Sequence, residues 1–200
     1  MAAIELASTW VGDIAPEGVL NYAEEEARGV FQSGNAVFMR NWPYAWALSQ
    51  SEDSPVKGKV GVTVLPRGDG EGGRHTGVLG GWNLAVSKYS DEPEAAADLV
   101  MFLTSYEQQK IRAVRGSYNP TRPALYEDED VLEAAPFFGE LPDTFVNAVA
   151  RPSRVTGENC NRVSGAFYEA VHATKSGRMT AAAALDELEG ELASIRRRGW

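Results

Sequence analysis

The sequence predicts a mixed α/β chain, α+β in its local ordering, helix-rich with few strands. Three observations carry this reading. Apolar residues recur at spacings of three and four near both ends, valines alternate with other residues at Val60, Val62 and Val64, and helical patterns follow one another from Pro93 onward.

The first stripe, Ile4, Ala7, Trp10 and Val11, belongs to an amphipathic helix that starts almost at Met1, as though in mid-element. Pro16 and Gly18 punctuate the loop that follows. Glu24 to Phe31 reads as a second helix, stopped at Ser33 and Gly34. The continuous apolar run from Ala36 to Met39 predicts a buried strand, Val60 to Val64 a second strand, and Val78 to Val86 a third. The glycine-rich stretch from Arg67 to Arg74 between them is a loop. Pro93 suits a first helical position, and Ala96, Leu99, Val100 and Leu103 line one face behind it. Ser105 with Gln108 forms a capping box for the next helix, ended by Gly116. Two prolines make residues 118–123 irregular. Phe137 to Ala150 is predicted helical. Beyond Arg151 and Pro152, Val163, Ala166, Phe167, Ala170 and Val171 mark one helix. Leu185, Leu188, Leu192 and Ile195 mark the last, from a Thr180 cap to the basic run Arg196, Arg197 and Arg198, where cations suit the helix dipole.

Composition narrows the function. Two hundred residues with 44% hydrophobic and 24% charged side chains are globular proportions, enough for one ordinary domain or two small lobes. Nineteen basic against twenty-eight acidic residues leave a net charge of −9, which argues against a nucleic-acid partner gripped by its phosphates. One cysteine, Cys160, excludes an intrachain disulfide. The two histidines, His75 and His172, have no metal-ligand spacing, so neither a metal nor a cofactor is expected. No apolar run reaches membrane-spanning length, and the N-terminus carries no signal-peptide pattern.

Few residues suggest bond chemistry. No nucleophile-elbow motif is present, and Cys160 between Asn159 and Asn161 reads as a packing residue. The loop from Gly68 to Gly73 lacks the lysine of a phosphate loop and carries Asp69 and Glu71, which repel phosphate. Glu24, Glu25 and Glu26 point in different directions on a helix, and a helix start favours acidic residues in any case. The aromatics are placed more tellingly. Trp42, Tyr44 and Trp46 flank Pro43, and Trp82 follows Gly80 and Gly81. A flat ring can cover the C–H face of a pyranose while polar neighbours take its hydroxyls; core packing is the competing account of each ring.

The segment Phe31 to Trp46 (FQSGNAVFMRNWPYAW) resembles a block of the family 1 extracellular solute-binding proteins. So do Val60 to Pro66 (VGVTVLP) with Gly80 to Ser87 (GGWNLAVS), the helix pair from Ala95 to Ile111, and Ser117 to Pro123 (SYNPTRP). Ala150 to Pro152 and Val163 to Gly177 continue the order, and the trehalose/maltose-binding proteins of ABC importers are the subgroup most resembled. The resemblance implies a periplasmic-binding-protein-like type II fold, of which this chain would be the C-terminal half. Residues 1–59 and 136–200 would then belong to the C-terminal lobe, and residues 60–135 would cross into the N-terminal lobe.

By the same resemblance, Trp42, Tyr44 and Trp46 are candidate sugar-stacking rings, Gly81 and Trp82 a backbone-and-indole pair on the opposite wall, Arg151 a hydroxyl donor and Glu24 a hydroxyl acceptor. It implies a non-catalytic, extracytoplasmic component, periplasmic or lipoprotein-anchored. Its partners would be a disaccharide such as trehalose or maltose, the ABC permease subunits and the missing N-terminal half. Two other readings stay open: a sugar-acting enzyme using a carboxylate pair that includes Glu24, and an interaction module without a small ligand.

Overall fold

The computed structural model describes residues 1–197. Ten α-helices run in order among these residues: α1 (Ala2–Thr9), α2 (Glu24–Gln32), α3 (Tyr44–Ser49), α4 (Pro93–Leu103), α5 (Tyr106–Gly116), α6 (Glu129–Ala134), α7 (Leu141–Val146), α8 (Ser153–Thr156), α9 (Cys160–Lys175) and α10 (Ala181–Arg196). Short 3-10 segments at Glu17–Leu20, Pro123–Tyr126, Pro136–Glu140 and Gly157–Asn159 join several of them. The chain divides into two compact units, residues 1–27 with 151–200 and residues 28–150, so one break falls inside α2.

The first unit is built on α10 lying against α9, with α1 also packed on α9. Ala181, Ala184, Leu188 and Ile195 are buried at spacings of three, four and seven, and α9 supplies Ala166, Ala173 and Thr174. Small residues on both helices permit close approach of the two backbones. Thr180 caps α10 by accepting the Ala183 N–H at 3.2 Å. Phe167 departs from the expected stripe: it is exposed, while Ala166 is buried as expected. His172 links α9 to the loop after α1. The Arg178 guanidinium can only donate, so His172 Nδ1 accepts from it at 3.1 Å and Nε2 donates to the Leu20 carbonyl at 3.2 Å. The third arginine of the basic run, Arg198, lies outside the described residues.

The second unit has the aromatic core. Ala113, Leu125, Tyr126, Val131, Ala135, Phe137 and Phe138 are buried together, with Trp46, Val62, Tyr106, Val114, Leu132 and Leu141 packed around them. Phe137 stacks on Phe138 at 4.9 Å, and Tyr126 meets Phe138 edge-on at 5.7 Å. Burial raises the Tyr126 phenol above its ordinary range, and its hydroxyl donates to the Pro120 carbonyl at 2.8 Å.

α5 starts at the expected cap, where Ser105 accepts the Gln108 N–H. It is tied to α6 through charge: Lys110 Nζ lies 2.8 Å from Asp128 and 2.7 Å from Asp130. Asp128 also caps α6, accepting from the Asp130 and Val131 N–H groups. The Lys110 hydrogen bond, chiefly, holds the Asp128 carboxyl below its usual pKa, while the two carboxylates hold the Lys110 ammonium above its own.

The expected strands do not form a sheet. Among the described residues the only β pairings are isolated bridges, Val11 with Ala15 and Val78 with Val149. Around the second, the Leu79 N–H donates to the Val149 carbonyl and the Val149 N–H to the Gly77 carbonyl, both at 2.9 Å. The expected helix over 137–150 is accordingly broken into a 3-10 segment, α7 and this bridge. The run at 36–39 is not a buried strand: Val37 is 83% exposed and Phe38 92%. A strand needs a neighbour to take its N–H and C=O groups, and no such ladder is present at this run. Residues 60–65 keep half of their expectation. Val60, Val62 and Val64 are partly buried while Gly61, Thr63 and Leu65 are exposed, so the period of two survives without a ladder. Residues 78–89 are exposed throughout.

Asp128 offers a test of the second unit. Asp128→Ala, which removes cap and ion pair together, should cost about 1–2 kcal/mol in urea unfolding, and Asp128→Asn, which keeps a capping oxygen, should cost less. Because the folded-state pKa of Asp128 is depressed, its contribution is present above the ordinary carboxylate pKa and is lost as pH falls through the lowered value. The gap between wild type and Asp128→Ala should therefore close in acid; a constant gap would show that this carboxylate is not the linked group.

Candidate functional site

Asn41 to Trp46 is the densest aromatic segment, and its geometry follows from Pro43. The proline ring fixes the turn into α3, and Asn41 Oδ1 accepts the Trp42 N–H at 2.7 Å, holding Trp42 just outside the helix. Trp42 is 44% exposed, and the Arg40 guanidinium sits 5.0 Å from the centre of its ring. One face of this indole is therefore already covered by a cation. Tyr44, the first residue of α3, lies parallel to Tyr118, with centroids 6.2 Å apart and planes at 12°. Trp46, two residues on, points the other way and meets Phe137 edge-on at 5.6 Å against the core.

The structure thus divides the three aromatics expected to act alike. Trp42 and Tyr44 stand at the outer edge of α3, whereas core contact is sufficient to account for Trp46. Tyr118, two residues past the glycine that ends α5, was not singled out within the irregular 118–123 segment.

Trp82 is fully exposed, and Gly81 beside it has open space around it, since an added Cβ would meet nothing within 4 Å. Neither residue is required by packing inside the chain. Nearby, Leu84, Val86, Tyr89, Ala96, Leu99 and Leu103 line an open apolar groove of about 400 Å³ between the 84–90 segment and α4. Arg151 and Glu24 belong to the first unit, the five other expected site residues to the second. Arg151 is exposed just before α8, and Glu24 is exposed in the first turn of α2. Of the glutamate triplet, Glu26 is committed locally, accepting the Ala23 N–H at 3.0 Å. Phe167 and Tyr168 on α9 form a further exposed aromatic pair.

Other sequence candidates resolve as scaffolding. Leu65 supplies the carbonyl that His75 Nδ1 contacts at 2.7 Å, and the glycine loop closes on itself through the Gly73 N–H and the Gly70 carbonyl. No group of three or more histidine, cysteine or carboxylate side chains among the described residues is arranged to hold a metal ion. No helix among them is long and apolar enough to cross a membrane.

Trp42 is thus exposed and Tyr44 half-buried at the start of α3, and Trp82 is exposed in the 78–89 segment. A family model for bacterial extracellular solute-binding proteins matches residues 2–110, and the chain belongs to that family. A probable ABC transporter-binding protein of Deinococcus radiodurans is 55% identical over 190 residues, which are 95% of this chain and 45% of that protein. Among solved structures, the maltose-bound MalE3 of T. maritima superposes with a TM-score of 0.89 at 45% identity, over 97% of this chain and 49% of that one. The fold is therefore the periplasmic-binding-protein-like type II fold expected from the sequence, helix-rich and with its sheet residues unpaired. The chain spans about half the length of the relatives it matches.

The two tryptophans should separate on substitution. Trp46→Ala should destabilise the protein by about 2–4 kcal/mol through the void beside Phe137, and Trp82→Ala should change stability by no more than about 0.5 kcal/mol. Comparable losses in urea unfolding would mean that Trp82 has packing partners after all.

Proposed function

We propose that this chain is the C-terminal half of a sugar-binding subunit of an ABC importer, and that its role is capture without catalysis. The observation that carries the reading is the start of α3, where Trp42 is exposed with Arg40 over one face and Tyr44 is half-buried beside Tyr118. The binding of maltose by a relative of 45% identity supports a disaccharide, maltose or trehalose, as ligand.

Residues 1–59 and 136–200 belong to one lobe in this reading and residues 60–135 contribute to the other. The ligand lies between the lobes, with Glu24 and Arg151 bonding its hydroxyls and Trp42, Tyr44, Gly81 and Trp82 lining the walls, while Trp46 serves the core. A guanidinium fork suits adjacent sugar hydroxyls, and a carboxylate accepts from two of them. Ligand affinity for the closed arrangement shifts the lobes toward it, and the closed form is what the membrane permease recognises. The protein works outside the cytoplasm, in the periplasm or tethered by a lipid. The exposed backbone and apolar side chains of residues 78–89, with the groove on α4, suit the N-terminal half as the polypeptide partner.

Calorimetric titration of maltose and trehalose tests the reading. The chain alone should bind weakly, with a dissociation constant on the order of 1 mM. Adding the N-terminal half should tighten binding at least about tenfold, and Trp82→Ala should abolish that gain. Full affinity without the second half would overturn the two-wall arrangement. A glucoside recovered hydrolysed, with hydrolysis lost in Glu24→Gln, would favour an enzyme instead.

A further inference from the structure

We infer that Asp69 is a site of covalent self-modification, at which its carboxyl closes on the Gly70 amide nitrogen and reopens as an isoaspartyl linkage. The inference is independent of what the chain binds.

The chemistry needs no reactant beyond water. The Gly70 nitrogen attacks Asp69 Cγ: a C–N bond forms, a Cγ–O bond breaks, and the amide proton leaves with the carboxyl hydroxyl as water. The product is a five-membered succinimide. Water then opens it at one of its two carbonyls. Attack at Cγ restores aspartate. Attack at the main-chain carbonyl leaves the backbone running through Cγ, with the former main-chain carbonyl as a free carboxylate. Composition and charge are unchanged, and the backbone is longer by one carbon. Approach of the nitrogen requires a peptide free to rotate and no side chain crowding it, conditions that glycine meets best.

Asp69 and Gly70 are the one place in the sequence where aspartate or asparagine precedes glycine. Both are exposed at a bend in the 67–74 loop, and a Cβ at Gly70 would meet nothing within 4 Å. Among the described residues nothing accepts the Gly70 N–H, and no hydrogen bond or ion pair holds the Asp69 carboxylate. The ties of the loop lie to either side. The Gly73 N–H donates to the Gly70 carbonyl at 2.9 Å, and His75 Nδ1 meets the Leu65 carbonyl at 2.7 Å. A Cβ at Gly73 would collide with the Gly68 carbonyl oxygen, so the base of the turn is tight while the peptide between 69 and 70 is open. Asp53 supplies the contrast. It precedes Ser54, another small residue, but Ser54 is buried and its N–H donates to the Ser51 carbonyl at 3.0 Å. Ring closure there must first break that bond and expose a buried residue. The loop also carries Arg67 and Arg74, which line a hollow of about 440 Å³ together with His75, Glu140 and Asp143. Isomerisation lengthens the chain between those two arginines, and so alters one wall of the hollow without altering its charge.

The test is ageing of the intact chain at neutral pH in heavy-oxygen water, then peptide mapping in ordinary water and methylation by a protein isoaspartyl methyltransferase. The tryptic peptide of residues 68–74 should gain heavy oxygen and become a methyl acceptor. Isoaspartate should form at residue 69 as fast in the native chain as in the urea-unfolded one, and at Asp53 only after unfolding. Asp69→Glu should remove the signal, because closure would need a larger ring. Gly70→Val should slow it at least about tenfold, because a β-branched side chain crowds the attacking nitrogen. Both positions are exposed, so neither substitution disturbs the core. Isoaspartate at residue 69 that appears only in urea would overturn the inference, as would an equal yield at Asp53 in the folded chain.

Discussion

The edge-on contact between Trp46 and Phe137 is the joint on which the second unit's arrangement rests. Phe137 belongs to the buried cluster with Phe138, Leu125 and Val131, so a ring docked on it inherits the rigidity of that core. α3 is only six residues long and could not hold its own direction in water. With Trp46 seated at one side of that short helix, Pro43 fixes how the chain enters it, and the positions of Tyr44 and Trp42 follow. Tertiary packing sets the orientation; the local sequence sets which residues stand at the edge. The same core fixes the other half of the aromatic surface, because Ala113 of α5 is fully buried in it and Tyr118 leaves from the end of that helix.

Polar contacts then hold the parts that packing alone would leave loose. Lys110 between Asp128 and Asp130 joins α5 to α6, and Gln109, one residue earlier, fastens the turn beyond α5. Neighbouring residues on one helix thus reach in two directions. In the first unit His172 plays a comparable part, its two nitrogens bridging Arg178 and the Leu20 carbonyl. Both histidines contact backbone carbonyls, consistent with scaffold roles.

The helices were legible because their signals are local. Pro93, the Ser105 cap and the Thr180 cap each mark a boundary within one turn, and the α10 stripe is a repeat along a single element. Strands were not legible in the same sense, because an apolar run states a need for partners without supplying them. Residues 36–39 and 78–86 carry strand-like composition but have no ladder, and only Val60, Val62 and Val64 keep the expected alternation. At the site, the proline-flanked aromatics were visible as a group. What the sequence lacked was direction: Trp42, Tyr44 and Trp46 look equivalent on the line, yet one is turned inward and two are not. Tyr118 was hidden for a different reason, since its setting depends on the left-handed C-cap of α5 at Ser117, which serine does not advertise.

On the proposed reading, the exposed stretch from Val78 to Tyr89 would carry two kinds of recognition side by side, the Trp82 ring toward a small molecule and the backbone around it toward another polypeptide. Heritable changes in these neighbours would then be felt at different levels. A new side chain at position 82 would alter which cargo is held, whereas a proline at Leu84 or Val86 would remove a donor that a partner strand would need. Cargo preference would then drift along this segment only at those positions whose backbone stays free to pair.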